Sequence, residues 1–595
     1  MVNLLQKILN RGALLKLSLI GAAFGSAGLA HHFAGDSFKM VNPVVSVLAW
    51  LFAIALAVLA TYRSDRDQEA KLYAPLLHHW EVLALLFLFI LALLVRVIAI
   101  GKIPPVLSGD EAGSGLLSVE IVAGRFNNPF ITGWYRFPSL FSMLPALAIA
   151  LGGQTIAALR IPSAIAGALT VVGVYGLGRV MFGRTAGWVS AILLAGSSYH
   201  IQFSRLGMNN IWDGLFVVYI LLLFWCGWRN GKRWYFIGAG ALIGLSQYFY
   251  VGGHVVPIII LIWLASMVVS ERQRLKQRIF DLLNMAVMAG VVFLPLALYY
   301  SDHTNEFWEP MLRVSAIPLI ISDFQYDPFI GWFNLFLNFS KVILGFVSTP
   351  LISFYTLQRP LLPAILVPFF ILGVGIILFH LRDARYRLLF FWGILVVVIN
   401  FLSQFPPAAH RYILGAPLAF LAVSVGLMAT ISWGTDRWPH AWGYVYKAAM
   451  ILTLITVGSE MQFYFIKRAP IFGFYGNAGD KIDVNSAVAM RLATYLESYP
   501  EGTQVIFFGP PVMWYRGFSQ FVYLAPQVQY FDVEQGATPP ELTLSPGHRI
   551  LFVFLPNRLA DVDQIERQYP GGAARWIPSQ QDASPLFFVY EITSP

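Results

Sequence analysis

Long apolar runs, separated by short polar segments, dominate the chain from its first residues to about position 467. Each run reaches the roughly 17 to 25 residues that a helix needs to cross a bilayer. The runs are continuous rather than alternating, which reads as helix and not as strand. Lipid offers no partner to an unpaired backbone group, so a spanning segment must satisfy its own. The pattern predicts thirteen spans, at 13–33, 42–61, 80–100, 158–180, 185–201, 210–228, 234–250, 254–270, 282–300, 361–380, 388–404, 411–432 and 444–465. The fold class expected is therefore a polytopic α-helical membrane protein.

Loop charges orient these spans, because cytoplasmic loops carry an excess of Lys and Arg. The start Met1–Arg11 holds Lys7 and Arg11, and no small-residue cleavage site after the first run suggests a signal peptide. With the N-terminus inside, the basic loops 62–74, 178–187, 228–234 and 271–278 all fall inside. One apolar stretch, 330–350 (GWFNLFLNFSKVILGFVSTPL), breaks the pattern if counted as a span, because it places HLRDARYR (380–387) outside. It is read instead as a helix at the outer interface, or re-entering from it. The first outside loop, 101–155, is then unusually large, and its apolar piece FPSLFSMLPALAIALGG is too short to span and is read as interfacial. Residues after about 468 are more polar and fall outside. Segments 503–509, 548–556, 574–579 and 585–593 read as strands around a helix at 559–570, a small α/β domain. The organisation expected is two extra N-terminal spans (1–75), a transmembrane catalytic core (76–467) and an extracytoplasmic α/β domain (468–595).

Composition agrees with this picture. Of 595 residues, 57% are hydrophobic and 12% charged, with mean hydropathy +0.65; a soluble domain carries about 25% charged residues. The net charge of +9 does not indicate nucleic-acid binding, because the basic residues cluster in the inside loops. The single cysteine, Cys226, excludes a disulfide within the chain and a cysteine-based metal site.

Candidate chemistry lies in the outside loops. The stretch LSGDEAGSG (107–115) places Asp110 and Glu111 side by side after a span. Acids at a helix start are ordinary capping residues, with Ser108 or Asp110 as the cap. The functional alternative is a carboxylate that takes a proton from a nucleophile or holds a divalent cation. The next outside loop gathers His200, Arg205, Asn209, Asn210 and Asp213. Asp213 opens an apolar run and needs a partner there, with Arg205 the nearest in sequence. Arg136, Arg160, His410 and Arg411 put positive charge outside, against the insertion bias. A phosphate in the outer leaflet would explain them, since Arg offers a planar two-pronged fork; snorkelling to headgroups is the plainer explanation. His254, in YVGGHVVP, reads as a hydrogen-bonded interface histidine.

The order of these features resembles a known group. A span is followed by a loop with DE, then RFPSL (136–140) entering an interfacial helix. RIPSAIAGALTVVGVYGLGRVMFGRTAGWVSAILLAGSSYHIQFSR (160–205) comes next, and HRYILGAP (410–417) near the end. This is similar to the GT-C glycosyltransferases, in the branch of protein O-mannosyltransferases and the lipid A aminoarabinose transferase. The resemblance implies an inverting glycosyltransferase that takes sugar from a polyprenyl-phosphate carrier at the outer face of the plasma membrane. The acceptor would be a protein, glycolipid or polysaccharide. The resemblance further implies Asp110 as catalytic base, Glu111 as its neighbour and Asp213 as the second-loop acid. Arg136 and Arg411 would face the carrier phosphate. Arg160, His200, Arg205, Asn209, His254 and His410 complete the expected substrate-binding set. No cofactor is expected, and a divalent cation is not favoured, because the first loop holds no D-x-D. Two departures stand: the group's usual K-P-P-L is here R-F-P-S-L, and two spans precede the core. A lipid-linked sugar flippase, or a non-catalytic assembly subunit, is the alternative; charges in loops rather than at mid-membrane argue against a transporter.

Overall fold

The computed structural model describes residues 11–61, 78–352, 355–471, 484–537, 549–579 and 583–593. The stretches 1–10 and 62–74, expected on the cytoplasmic side, lie outside the described residues. The chain opens with α1 (Arg11–Ala34), α2 (Pro43–Thr61) and α3 (His79–Val97), followed by α4 (Gly109–Val122), α5 (Leu140–Gly152), α6 (Ile156–Phe182), α7 (Arg184–Gly196) and α8 (Ser198–Ser204). Then come α9 (Ile211–Asn230), α10 (Arg233–Ser246), α11 (Val255–Ser270), α12 (Arg272–Asp302), α13 (Thr304–Arg313), α14 (Ile317–Tyr326) and α15 (Pro328–Leu344). The last membrane-domain helices are α16 (Val367–Phe379), α17 (Ala384–Phe401), α18 (Ala416–Arg437) and α19 (Trp442–Gln462).

Among the described residues ten helices are long and apolar enough to cross a membrane: α1, α2, α3, α6, α9, α11 together with the helical turn before it (Val251–Ser270), α12, α17, α18, and α19 with its flanking turns (Pro439–Arg468). The protein is a multi-pass membrane protein. The other three expected spans are helices of 13, 14 and 13 residues, α7, α10 and α16. At 1.5 Å per residue each covers about 20 Å. Local chemistry shortens them. The Ser197 side chain accepts from the His200 N–H and starts α8 directly after α7, and Pro368 sits in the first turn of α16. Helix α15 is apolar but only 17 residues long, and α5 is a 13-residue helix where an interfacial piece is predicted.

Among the described residues, the basic loops near 180, 230 and 385 gather at one end. Arg229 donates to the Val180 carbonyl (2.9 Å), Arg385 to the Met181 carbonyl (3.0 Å), and Arg233 pairs with Asp281 (3.0 Å). At the other end, the link between α1 and α2 is bonded to the first large loop. The Asn128 side-chain amide donates to the carbonyls of Gly35 (2.8 Å) and Ser37 (3.0 Å), and the Asn127 N–H donates to that of Phe38 (2.9 Å).

The C-terminal domain adds α20 (Val484–Leu496), β1 (Gln504–Phe508), α21 (Ser519–Leu524), β2 (Gln529–Asp532), β3 (Arg549–Phe554), α22 (Val562–Gln568), β4 (Ala573–Pro578) and β5 (Pro585–Thr593). Sheet order is β2-β1-β3-β5-β4, with β2, β1 and β3 parallel and β5 antiparallel to both neighbours. The central strand β3 is buried on both faces and reads as an unbroken apolar run. The domain seats α21 against the membrane domain: the Tyr523 hydroxyl donates to the Thr155 carbonyl (3.1 Å) and Gln154 to the Tyr523 carbonyl (2.6 Å).

Helices α16 and α18 cross at paired glycines, Gly373 against the Ala422 carbonyl and Gly426 against the Phe369 carbonyl. Small residues at such crossings let backbones approach in lipid. A Cβ at Gly426 would fall on the Phe369 carbonyl. Gly426→Ala is expected to cost about 1–3 kcal/mol as overpacking. A thermal melt in detergent reads this as a lowered Tm; an unchanged Tm contradicts the crossing.

Candidate active site

The adjacent acids Asp110 and Glu111 serve different purposes because successive helix positions are rotated by about 100°. Ser108 caps α4 by accepting from the Glu111 N–H (3.1 Å), and the Glu111 carboxylate accepts from the Ser108 N–H (3.1 Å), a capping box. Glu111 is 0% exposed and also accepts from the Gly207 N–H (2.7 Å) and from both prongs of Arg160 (2.8 and 3.1 Å). Arg160, likewise 0% exposed, gives its other donors to the carbonyls of Ile100 (3.1 Å), Pro104 (2.8 Å) and Val106 (2.9 Å). Its five N–H groups are thus all committed.

Asp110 faces a different way, into a cavity of about 400 Å³ shared with Trp134, Tyr135, Asn209, Asn210, Tyr250, Arg313, Tyr355, Gln404, His410 and Arg411. The Tyr355 hydroxyl donates to its Oδ2. Burial pushes the Asp110 carboxyl above the ordinary aspartate range, and the Glu111 charge beside it adds to the rise. The Tyr355 hydrogen bond works against both. Tyr355 reaches this place because its segment is stitched to the one carrying Arg411. The Ile352 N–H donates to the Pro407 carbonyl (3.0 Å) and the Ala409 N–H to that of Ile352 (2.8 Å).

A second cavity, about 380 Å³, adjoins the first. Its lining includes Asp213, Ile258, Leu395, Val398, Ile399, Leu402 and Leu414, and it shares Tyr250, Val314, His410 and Arg411 with the Asp110 cavity. Asp213 is buried with the Gly252 backbone N–H against its carboxylate and the Arg411 charge facing it. The Arg411 Nε has no hydrogen-bond partner among the described residues, nor do the side-chain carbonyls of Asn209 and Asn210. Burial and the neighbouring Arg411 guanidinium hold the His410 imidazole well below its usual pKa, hence neutral near pH 7. The site is therefore polar and partly unsatisfied on one side of Arg411 and apolar on the other.

The structure brings Asp110, Asn209, Asp213, His254, His410 and Arg411 around these two joined cavities, and places the other expected residues elsewhere. Arg160 leaves no donor for a phosphate. Arg205 gives its own donors to the carbonyls of Val95 (2.8 Å), Ile98 (2.8 Å) and Ile103 (2.8 and 3.1 Å), which cap the end of α3; it is not the partner of Asp213. His200 is buried with its Nδ1 2.8 Å from the Arg96 guanidinium. Arg136 pairs with Glu306 (2.5 Å) and Glu309 (3.6 Å) and lines a different cavity. His254 sits 2.5 Å from the Gln247 side-chain oxygen and against Phe307, as an interface histidine would. Residues that sequence reasoning passed over also face Asp110's cavity, among them Trp134, Tyr135, Tyr250, Tyr355, and Arg313 on α13, whose guanidinium lies 4.8 Å from the Tyr135 ring. Among the described residues no three His, Cys, Asp or Glu side chains gather as a metal site.

Residues 137–299 match the family model described as dolichyl-phosphate-mannose-protein mannosyltransferase. Over this stretch the membrane domain is similar to that family. The matched stretch runs from within the first large loop through most of α12 and contains Arg160, Asn209, Asp213 and Tyr250. Similar folds include an oligosaccharyltransferase of Archaeoglobus fulgidus tethered with an acceptor peptide, at 14% identity and TM-score 0.48 over 76% of this chain. The chain spans 63% of that protein's length. ArnT from Cupriavidus metallidurans, bound to undecaprenyl phosphate, is similar at 12% identity and TM-score 0.49 over 86% of this chain and 97% of its own. No curated protein sequence matches the chain.

Within this site the two acids can be separated by experiment. Glu111→Gln leaves Arg160 buried without its charge partner, and removing one partner of such a pair costs about 3–5 kcal/mol. A lowered Tm is expected for Glu111→Gln and an unchanged Tm for Asp110→Asn; equal melts for the two contradict the division.

Proposed function

We propose that the protein moves a sugar from a polyprenyl phosphate to an acceptor hydroxyl, with inversion at the anomeric carbon, at the outer face of the plasma membrane. The observation that carries this reading is the shared wall. A carboxylate, Asp110, and an incompletely bonded arginine, Arg411, line one cavity, and an apolar groove joins it at Arg411. An isoprenoid phosphate needs that combination of greasy channel and positive charge. The matched family model, whose description names a dolichyl-phosphate sugar donor, supports the donor class.

In this reading the donor phosphate lies against Arg411 and its chain lies in the groove past Ile258, Leu395, Val398 and Leu402. The sugar occupies the Asp110 cavity, with aromatic faces at Trp134 and Tyr135 and open amide oxygens at Asn209 and Asn210. Asp110 takes the proton from the acceptor hydroxyl as its oxygen attacks the anomeric carbon. The carbon–oxygen bond to phosphate breaks, and the polyprenyl phosphate departs as an anion. One well-placed stabilising donor lowers such a barrier by about 3 kcal/mol. Asp213 aligns Arg411 by facing it across the groove. No metal ion is assigned a part; the positive charge is the protein's own.

The deciding experiment supplies labelled polyprenyl-phosphate sugars and a membrane acceptor fraction to the purified protein in the presence of chelator. Wild type transfers label, and Asp110→Asn loses about 10²–10⁴ in rate while still binding donor. Equal transfer by both removes Asp110 from the mechanism.

The pH profile follows from the raised Asp110 pKa. The base works only when ionised, so rate falls as pH drops through that pKa. Tyr355 stabilises the ionised form, so Tyr355→Phe moves the acid limb to higher pH. An acid limb unmoved by the substitution contradicts Asp110 as the titrating base.

A further inference from the structure

A larger cavity, about 580 Å³, lies on the far side of Trp134, Tyr135 and Arg313 from the Asp110 cavity, and these three residues line both. Besides the loop 125–136 and Tyr299 of α12, four parts of the chain enclose it. The α1–α2 link contributes Asp36 and Phe38, α4 contributes Glu120, α13 contributes Glu309, and α21 of the C-terminal domain contributes Ser519. The dividing wall is firmly built. Tyr135 and Arg136 both have positive φ (53° and 59°), a region few non-glycine residues occupy. The turn is closed by the Gly133 N–H donating to the Phe137 carbonyl (2.8 Å). Trp134 packs directly over Gly113, where a Cβ would strike its indole.

The charges of this chamber differ from those around Asp110. Three arginines and three carboxylates line it, and each of the arginines is paired. Arg125 grips Glu120 with two bonds (2.5 and 2.7 Å), Arg136 holds Glu306 and Glu309, and Arg313 holds Glu309 (2.5 Å). Paired guanidinium and carboxylate groups offer fixed donors and acceptors with no surplus charge, which suits hydroxyls rather than phosphates. Trp134, Tyr135 and the exposed Phe38 ring, stacked 5.2 Å from Phe126, offer flat apolar faces of the kind sugar rings pack on.

We infer that this chamber is the acceptor site, and that the acceptor is a neutral, hydroxyl-rich glycan chain whose end reaches Asp110 at the Trp134–Tyr135 wall. The inference rests on the transfer reading above and adds the class of the acceptor. It also gives the two N-terminal helices and the C-terminal domain a shared purpose, since each contributes one edge of the chamber.

Binding tests this apart from catalysis. Short neutral oligosaccharides are titrated against the full-length protein in detergent and followed by saturation-transfer NMR. The proteins compared are wild type, Ser519→Trp, which fills the chamber, Phe38→Ala, which removes a stacking face, and Asp110→Asn. Wild type and Asp110→Asn are expected to bind alike, and the two chamber variants to bind roughly tenfold more weakly or not at all, with unchanged Tm. Absence of binding by wild type, or binding unaffected by both chamber variants, overturns the inference. So does binding of an anionic phosphoglycolipid in place of the neutral chains, if Ser519→Trp abolishes it. Glycan binding without transfer from any polyprenyl-phosphate donor leaves the chamber standing and overturns the transfer reading instead.

Discussion

The buried ion pair between Glu111 and Arg160 joins α4, α6, the turn after α3 and the backbone at Gly207. An arginine with all five N–H groups bonded can be buried at little net cost, whereas one that loses its carboxylate cannot. That constraint fixes the start of α4 and therefore the direction in which Asp110 points. Arg205 performs a related service one turn away by collecting the carbonyls at the end of α3. Two of the arginines that could have met a phosphate are thus parts of the frame around the site.

With the frame set, the chemistry of the cavities follows from which charges are left incomplete. Arg411 has an open Nε and faces Asp213, so positive charge is available where the polar cavity meets the apolar groove. Around the third chamber the arginines are paired with carboxylates. A lipid phosphate and a neutral acceptor would therefore be drawn to opposite sides of Asp110, with Trp134 and Tyr135 between them. The C-terminal domain belongs to this arrangement through Tyr523, which binds the turn before α6 and stands over α4.

Much of this was legible in the residue pattern. Apolar runs show directly in sequence because lipid imposes one simple requirement on them, and the longest became full-length helices. Helices α7, α10 and α16 came out short because Ser197, the turns after Ser246 and a proline act locally against helix continuation. The resemblance gave Asp110 and Glu111 different parts, but nothing in LSGDEAGSG showed what would hold Glu111. That depended on Arg160, 49 residues away in sequence. Tyr355 stands 245 residues from Asp110 and sits between predicted elements, with no motif to signal it. Arg136 carried the expected charge, yet its partner Glu306 lies 170 residues on. Strand β2 escaped notice because QYFD at a sheet edge has no apolar run.

Transfer as proposed requires one lipid-linked donor lying across Arg411 with its sugar at Asp110. A polyprenyl phosphate bearing a photoreactive group in its chain tests this most directly, with the labelled residues mapped by mass spectrometry. Crosslinks are expected at Ile258, Leu395, Val398, Ile399 and Leu402, and are lost when Arg411 is replaced by Ala. Crosslinks on another face of the protein, or labelling of these residues that persists without Arg411, would contradict it.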